Sequence, residues 1–107
     1  MKKYLIKGRY TSAGTKGLIQ EGGSSRKVAI ENMLAEMDGK VESFYYAFND
    51  DDVYLIVELP DDISGAAVIL RVNASGLVRI SMTLLFSPAD IDAASKKTVS
   101  YRAPGTK

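Results

Sequence analysis

The sequence predicts an α+β protein of the ferredoxin-like βαββαβ type, with a four-stranded antiparallel sheet and both helices on one face. Alternating apolar and polar residues predict four strands, and stretches with apolar residues at i, i+3, i+4 and i+7 predict helices between them. The length of 107 residues and the hydrophobic content of 46% suit one core. We therefore expect a single domain over residues 1–107, with residues 98–107 as an extended tail.

The first part of the chain is predicted to form a strand, a loop and a helix. Residues 3–10 alternate as in a strand with two different faces. Residues 11–23 are rich in Thr, Ser and Gly, which favours a loop containing one helical turn. A helix is predicted from Ser24 to Gly39. Its apolar stripe is formed by Ile30, Met33, Leu34 and Met37.

Residues 41–48 and 53–59 are predicted to pair as a hairpin. Both stretches are rich in β-branched and aromatic residues, and the residues between them are polar and acidic. Alternation allows two inward faces for the first of these strands: Val41, Ser43, Tyr45 and Ala47, or Glu42, Phe44, Tyr46 and Phe48. A shift of one residue exchanges the two faces, so both stay open.

A further helix is predicted between Pro60 and Gly76. Asp61 and Asp62 lie at its start, where carboxylates interact favourably with the positive end of the helix dipole. We therefore interpret both as stabilising the helix rather than as acid–base groups.

The chain is predicted to end with a strand over residues 77–86, a short helix and the tail. Ser87 followed by Pro88 is typical of a helix start, and this helix is expected to reach about Lys97. Right-handed crossovers between the strands then predict the strand order 4-1-3-2.

The composition excludes many kinds of chemistry. The chain has no cysteine and no histidine, which removes thiolate nucleophiles, thiolate zinc sites and the commonest general base. No metal and no cofactor are expected, and a haem would need Tyr or Met as its proximal ligand. Lys and Arg are spread along a chain of net charge +1, so no nucleic-acid partner is expected. No apolar run suits a membrane span or a signal segment, which predicts a cytoplasmic protein without a membrane partner.

The two faces of the predicted sheet differ in character. The helices are expected to cover Ile6, Val53, Leu55, Val57, Val78, Ile80, Met82 and Leu84. The opposite face is expected to carry Lys7, Arg9, Tyr54, Ile56, Glu58, Arg79, Ser81, Thr83 and Leu85. Half-apolar faces of this kind are usually covered, and a second copy of the chain is the simplest cover. The sequence therefore predicts a homodimer.

Such a dimer would enclose a space suited to a ligand. The predicted lining residues are Lys7, Arg9, Tyr54, Glu58, Arg79 and Thr83. These groups suit an anionic or polar aromatic compound held by charge-assisted hydrogen bonds. A second interpretation stays open, in which they form interface salt bridges, for example Glu58 with Arg9 or Arg79, and hold no ligand.

In their order and spacing, several short motifs resemble the GYD-domain family. They are Tyr4-Leu5-Ile6, Thr11, Gly14, Arg26, Gly39, Pro60-Asp61-Asp62, Val78-Arg79 and Thr83. Asp52 matches the aspartate of the family's name motif, while Asn49 and Asp51 stand where that motif has glycine and tyrosine. The resemblance implies a dimeric α+β barrel, an architecture shared by cofactor-free monooxygenases, isomerases, haem-dependent dismutases and non-catalytic proteins. The fold alone does not choose among these functions.

Three hypotheses about function follow. The first is a homodimeric small-molecule-binding or structural protein. The second is a cofactor-free monooxygenase-like or isomerase-like enzyme acting on a small aromatic or anionic compound, with Tyr54 or Glu58 transferring a proton and Arg9 or Arg79 clamping an oxyanion. The third is a partner-binding protein that uses the C-terminal tail.

Overall fold

The computed structural model describes residues 1–106, which form four strands and four helices. The elements are β1 (Lys2–Tyr10), α1 (Ser12–Glu21), α2 (Gly23–Ala35), β2 (Lys40–Tyr46), β3 (Val53–Leu59), α3 (Asp62–Ala74), β4 (Val78–Leu85) and α4 (Pro88–Ser95). The strands form one antiparallel sheet in the order β2-β3-β1-β4. The α+β class, the strand order and the short C-terminal helix are therefore as predicted, and the arrangement is consistent with a ferredoxin-like fold.

The core lies between one face of the sheet and helices α2 and α3. Its buried side chains are Tyr4, Ile6, Leu34, Val53, Leu55, Val57, Leu59 and Val68. Every second residue of β3 is buried, as expected for a strand that packs one face against helices. Leu34 from α2 and Val68 from α3 belong to the same cluster, so both helices cover the same face of the sheet. Leu84 was also predicted for this face, but it is 37% exposed, since it lies near the end of the edge strand β4.

Helix α1 occupies a segment that was predicted to be a loop with one helical turn, so that prediction for residues 11–23 is wrong. The Thr11 side chain accepts a 3.1 Å hydrogen bond from the backbone N–H of Gly14 and so caps the first turn. Two of its inward positions are the glycines Gly14 and Gly17, so the residue types of this segment resemble those of a loop. A β-carbon at Gly14 would lie 1.9 Å from the carbonyl oxygen of Leu77, which explains why that position carries no side chain.

A β-bulge in β2 decides which of its side chains face the core. Val41 pairs with Val57 and Ser43 pairs with Ile56, so Glu42 is an extra residue. Strict alternation therefore fails, and neither of the two predicted faces is correct as a whole. The side chains packed against the core are Val41, Phe44 and Tyr46.

The C-terminal arm, which we define as residues 86–106, has almost no cover from the rest of the chain. Every residue of the arm is exposed, and α4 buries none of its side chains. The helix is nevertheless well capped, because Ser87 and Asp90 form reciprocal side-chain to backbone hydrogen bonds of 3.1 and 2.9 Å. The molecule measures 59 × 33 × 22 Å, and its radius of gyration of 17.3 Å exceeds the roughly 13 Å of a compact chain of this length.

No helix within residues 1–106 is both long enough and apolar enough to cross a membrane.

Candidate functional site

The sheet surface opposite the helices, which we call the bare face, consists of aligned rows of side chains. The strand registers place one row across all four strands: Tyr45, Tyr54, Lys7 and Ser81. The adjacent row consists of Ser43, Ile56, Leu5 and Thr83. Tyr45 is 71% exposed, so its ring leaves apolar surface of the bare face open to solvent.

All six residues predicted to line the ligand space lie on the bare face, but they are not gathered at one point. Lys7, Arg9, Tyr54 and Arg79 lie toward one end of the sheet, where Lys7 pairs with Tyr54 and Arg9 pairs with Arg79. Thr83 lies near the middle, opposite Leu5. Glu58 belongs to the other end, so within one chain it does not share a site with the arginines.

The end of the bare face that contains Glu58 is electrically neutralised. The Lys40 ammonium lies 3.3 Å from the Glu58 carboxylate, and the Lys3 ammonium lies 2.9 Å from the Glu42 carboxylate. The hydrogen bond from Lys3 to Glu42 raises the pKa of Lys3. Glu58 therefore has a lysine partner within the same chain, and its predicted pairing with Arg9 or Arg79 does not form within that chain.

The opposite end of the bare face, which we call the cationic end, consists of Lys7, Arg9 and Arg79. Within residues 1–106, none of these three has a carboxylate oxygen within 4 Å. Arg9 instead donates a hydrogen bond to the backbone carbonyl of Asp50. Like charges directly opposite one another on neighbouring strands are destabilising. A bound anion or the carboxylate of another chain would therefore stabilise this end of the sheet.

A cleft lies on the other side of the sheet, between α1, α2 and α3, and has a volume of about 270 Å³. Its apolar lining consists of Leu18, Ile30, Met33, Val72, Leu77 and Val78. A smaller cavity of about 50 Å³ adjoins it toward the core and shares several of these residues. Sequence reasoning missed the cleft because one wall is α1, which was predicted to be a loop.

Polar groups cluster where α1 meets α2 at the edge of the cleft. The Arg26 guanidinium lies 3.7 Å from the Glu21 carboxylate, and both residues line the cleft. The Tyr46 hydroxyl donates a 3.2 Å hydrogen bond to the carbonyl oxygen of Gly23. Burial, and then the neighbouring Tyr10, raise the pKa of Tyr46 to about 12. Tyr46 therefore stays protonated near neutral pH and acts as a hydrogen-bond donor.

Comparison with models of known protein families matched the GYD domain over residues 4–95. The chain belongs to the GYD-domain family. The resemblance inferred from the sequence is thereby confirmed, and the match includes the bare face and the cleft. No curated protein and no solved structure matched the chain.

Asp52, the residue matched to the aspartate of the family's name motif, fastens the β2–β3 turn of this GYD domain to β1. Its carboxylate accepts a 2.8 Å hydrogen bond from the backbone N–H of Tyr10, and its own N–H donates a 2.8 Å hydrogen bond to the carbonyl of Gly8. Within residues 1–106, no group of three or more acidic side chains is arranged to hold a metal ion. The role visible for Asp52 is therefore to fix the turn beside the cationic end.

Proposed function

We propose that this GYD domain is a homodimeric small-molecule-binding protein, in which two bare faces pack together and hold a small anion at the cationic end. The observation that carries the proposal is the pairing of Arg9 with Arg79 across β1 and β4, with Lys7 adjacent and no carboxylate partner within residues 1–106. The three positive charges repel one another, and a bound anion would offset this repulsion and stabilise the folded chain.

A second copy of the chain is the proposed cover for the bare face. The face carries tyrosines and arginines, which are enriched at protein interfaces relative to the rest of the surface. Its aliphatic and aromatic members are Leu5, Tyr45, Tyr54, Ile56 and Leu85. A two-fold contact buries the same residues on both subunits, so one exposed face supplies the whole interface.

The proposed ligand is a small aromatic compound bearing a carboxylate or phosphate group. The guanidinium groups of Arg9 and Arg79 can each donate two hydrogen bonds to such a group. Tyr54 lies directly opposite Lys7 and next to the exposed Tyr45, so an aromatic ring attached to the anion would meet other rings there.

Native mass spectrometry at low activation energy tests the dimer and the ligand together. We expect a dimer, and we expect added benzoate to bind it with an affinity that falls about tenfold in Arg79→Gln, since a charge-assisted contact is lost. Arg71→Gln is the matched control, because Arg71 lies on α3 and away from the bare face. A monomer would overturn the proposal. A dimer that binds no benzoate and weakens in Arg79→Gln would favour interface salt bridges instead.

A second candidate function, partner binding through the C-terminal arm, is supported by a separate observation. The arm exposes four large apolar side chains, Phe86, Ile91, Val99 and Tyr101. Deletion from Thr98 onward should abolish binding of the partner protein without unfolding the domain. A matched variant that keeps the arm's length but carries Val99→Ser and Tyr101→Ser distinguishes loss of these side chains from loss of the chain itself.

A further inference from the structure

We infer that the cleft between α1, α2 and α3 is a second ligand site, which takes a compound with an apolar body and one carboxylate group. The site lies on the helix side of the sheet and shares no residue with the cationic end. The inference about the cleft is therefore independent of the proposed dimer and of its anion.

Gly17 supplies the first observation. It lies in the middle of α1 and faces the cleft, yet a β-carbon built there meets no atom within 4 Å. Glycine inside a helix makes the helix less stable than alanine does. At position 17 no close contact requires a glycine. Gly14, one turn earlier, differs because a β-carbon there would collide with the backbone of Leu77. The space beside Gly17 is thus available to another molecule.

The volume and lining of the cleft indicate the body of the ligand. Ile30, Met33, Val72 and Val78 line both the cleft and the adjoining inner cavity, so they form a continuous apolar wall. The cleft volume of about 270 Å³ exceeds the roughly 150 Å³ of an engineered apolar cavity that holds benzene. Two fused rings or a hydrocarbon chain of similar volume would fit.

Arg26 indicates the polar end of the ligand. Its guanidinium is half-buried at the cleft, where a charge is less screened than in water. Its 3.7 Å contact with Glu21 is longer than the roughly 2.8 Å of a charge-assisted hydrogen bond. Glu21 is itself exposed and can turn toward solvent. A ligand carboxylate can therefore replace Glu21 and form shorter hydrogen bonds with Arg26.

The test uses 2-naphthoate as the probe, titrated into the full chain carrying Arg79→Gln so that binding at the cationic end is weakened. We expect one molecule of 2-naphthoate per subunit by calorimetry. Gly17→Leu fills the cleft and should weaken binding about tenfold or more while raising the melting temperature. Thr15→Leu is the matched control, because Thr15 lies on the same helix but does not line the cleft.

A second variant tests the carboxylate contact. Arg26→Gln should weaken binding of 2-naphthoate about tenfold but change binding of the uncharged 2-naphthol by no more than about twofold. The inference is overturned if 2-naphthoate does not bind, or if a folded Gly17→Leu variant binds it as well as Thr15→Leu does. It is also overturned if Arg26→Gln weakens both compounds equally. None of these results would bear on the dimer.

Discussion

The hydroxyl of Tyr4 donates a 2.5 Å hydrogen bond to the carboxylate of Asp62 and so joins β1 to the first turn of α3. Burial, and then the contact with Asp62, raise the pKa of Tyr4 to about 12. Hydrogen bonds from Tyr4 and then Lys2 lower the pKa of Asp62. The carboxylate thus has a structural role at the helix start, as its sequence position predicted.

Replacing Tyr4 by Phe should lower the free energy of unfolding by about 1–2 kcal/mol, because a hydrogen bond to a charged group is lost without a change in apolar packing. Urea denaturation measures the difference. Tyr45→Phe is the control, since Tyr45 is largely exposed. Equal effects of the two substitutions would contradict this role of the Tyr4 hydroxyl.

Stability should fall as the pH drops below about 4, the ordinary pKa of an aspartate in an unfolded chain, because protonation of Asp61 and Asp62 removes their contribution. Both carboxyls have lowered pKa values in the folded protein, Asp61 because it caps α3 through Ser64 and Asp62 because of Tyr4. A lowered folded-state pKa means that the stabilisation is present above the unfolded-state pKa and is lost as the pH falls through the folded-state value. Urea midpoints between about pH 6 and pH 2.5 should decline less in Asp62→Asn than in the parent protein. Parallel curves would contradict the prediction.

The two inward glycines of α1 should respond oppositely to alanine. Gly14→Ala should cost about 2 kcal/mol or more, because its β-carbon would lie 1.9 Å from the Leu77 carbonyl oxygen and the backbone would have to move. Gly17→Ala should raise the free energy of unfolding by about 0.5–1 kcal/mol, because the space beside it is open and alanine favours a helix. Thermal unfolding of both variants provides the comparison. A loss of stability in Gly17→Ala would show that this position is restricted.

Asn73 should be important for holding the edge strand β4. Its side-chain amide donates to the carbonyl of Ile80 at 3.3 Å, and its side-chain oxygen accepts from the Ile80 N–H at 2.7 Å. Asn73→Ala loses both hydrogen bonds and should lower the free energy of unfolding by about 2 kcal/mol. Hydrogen exchange should show the Ile80 amide losing protection first. Exchange that changes equally throughout the sheet would argue against a local role.

Sequence patterns predicted most of the fold because the strands alternate between apolar and polar residues, and because Asp61 and Ser87 mark the starts of α3 and α4. Every second residue of β3 is buried, and that alternation is explicit in the sequence. Helix α1 was not predicted, since two of its inward positions are glycines and its first turn is fixed by the Thr11 cap and by contact with Leu77. The bulge at Glu42 could not be predicted either, because an extra residue in a strand does not change the types of residue that the strand contains.

The candidate sites differ in predictability for the same reason. The bare face follows from alternation alone, so the sequence identified its six polar residues correctly as members of one face. Their partners depend on register across β2, which explains why the contact of Glu58 with Lys40 was not foreseen. The cleft requires three helices in fixed relative positions, and no short stretch of sequence encodes that arrangement.

Helix α1 is attached differently at its two ends. Near its start, the Thr11 N–H donates a 3.0 Å hydrogen bond to the Leu77 carbonyl, and Gly14 packs against the same group. Its far end joins α2 through Gly22, whose φ of 92° is a backbone conformation that glycine adopts without strain. The helix is about 15 Å long, and the end that contacts Leu77 is the fixed one. A swing of about 10° would move the far end by roughly 2.5 Å, given a rise of about 1.5 Å per residue. We therefore expect α1 to adjust the width of the cleft while the sheet stays in place.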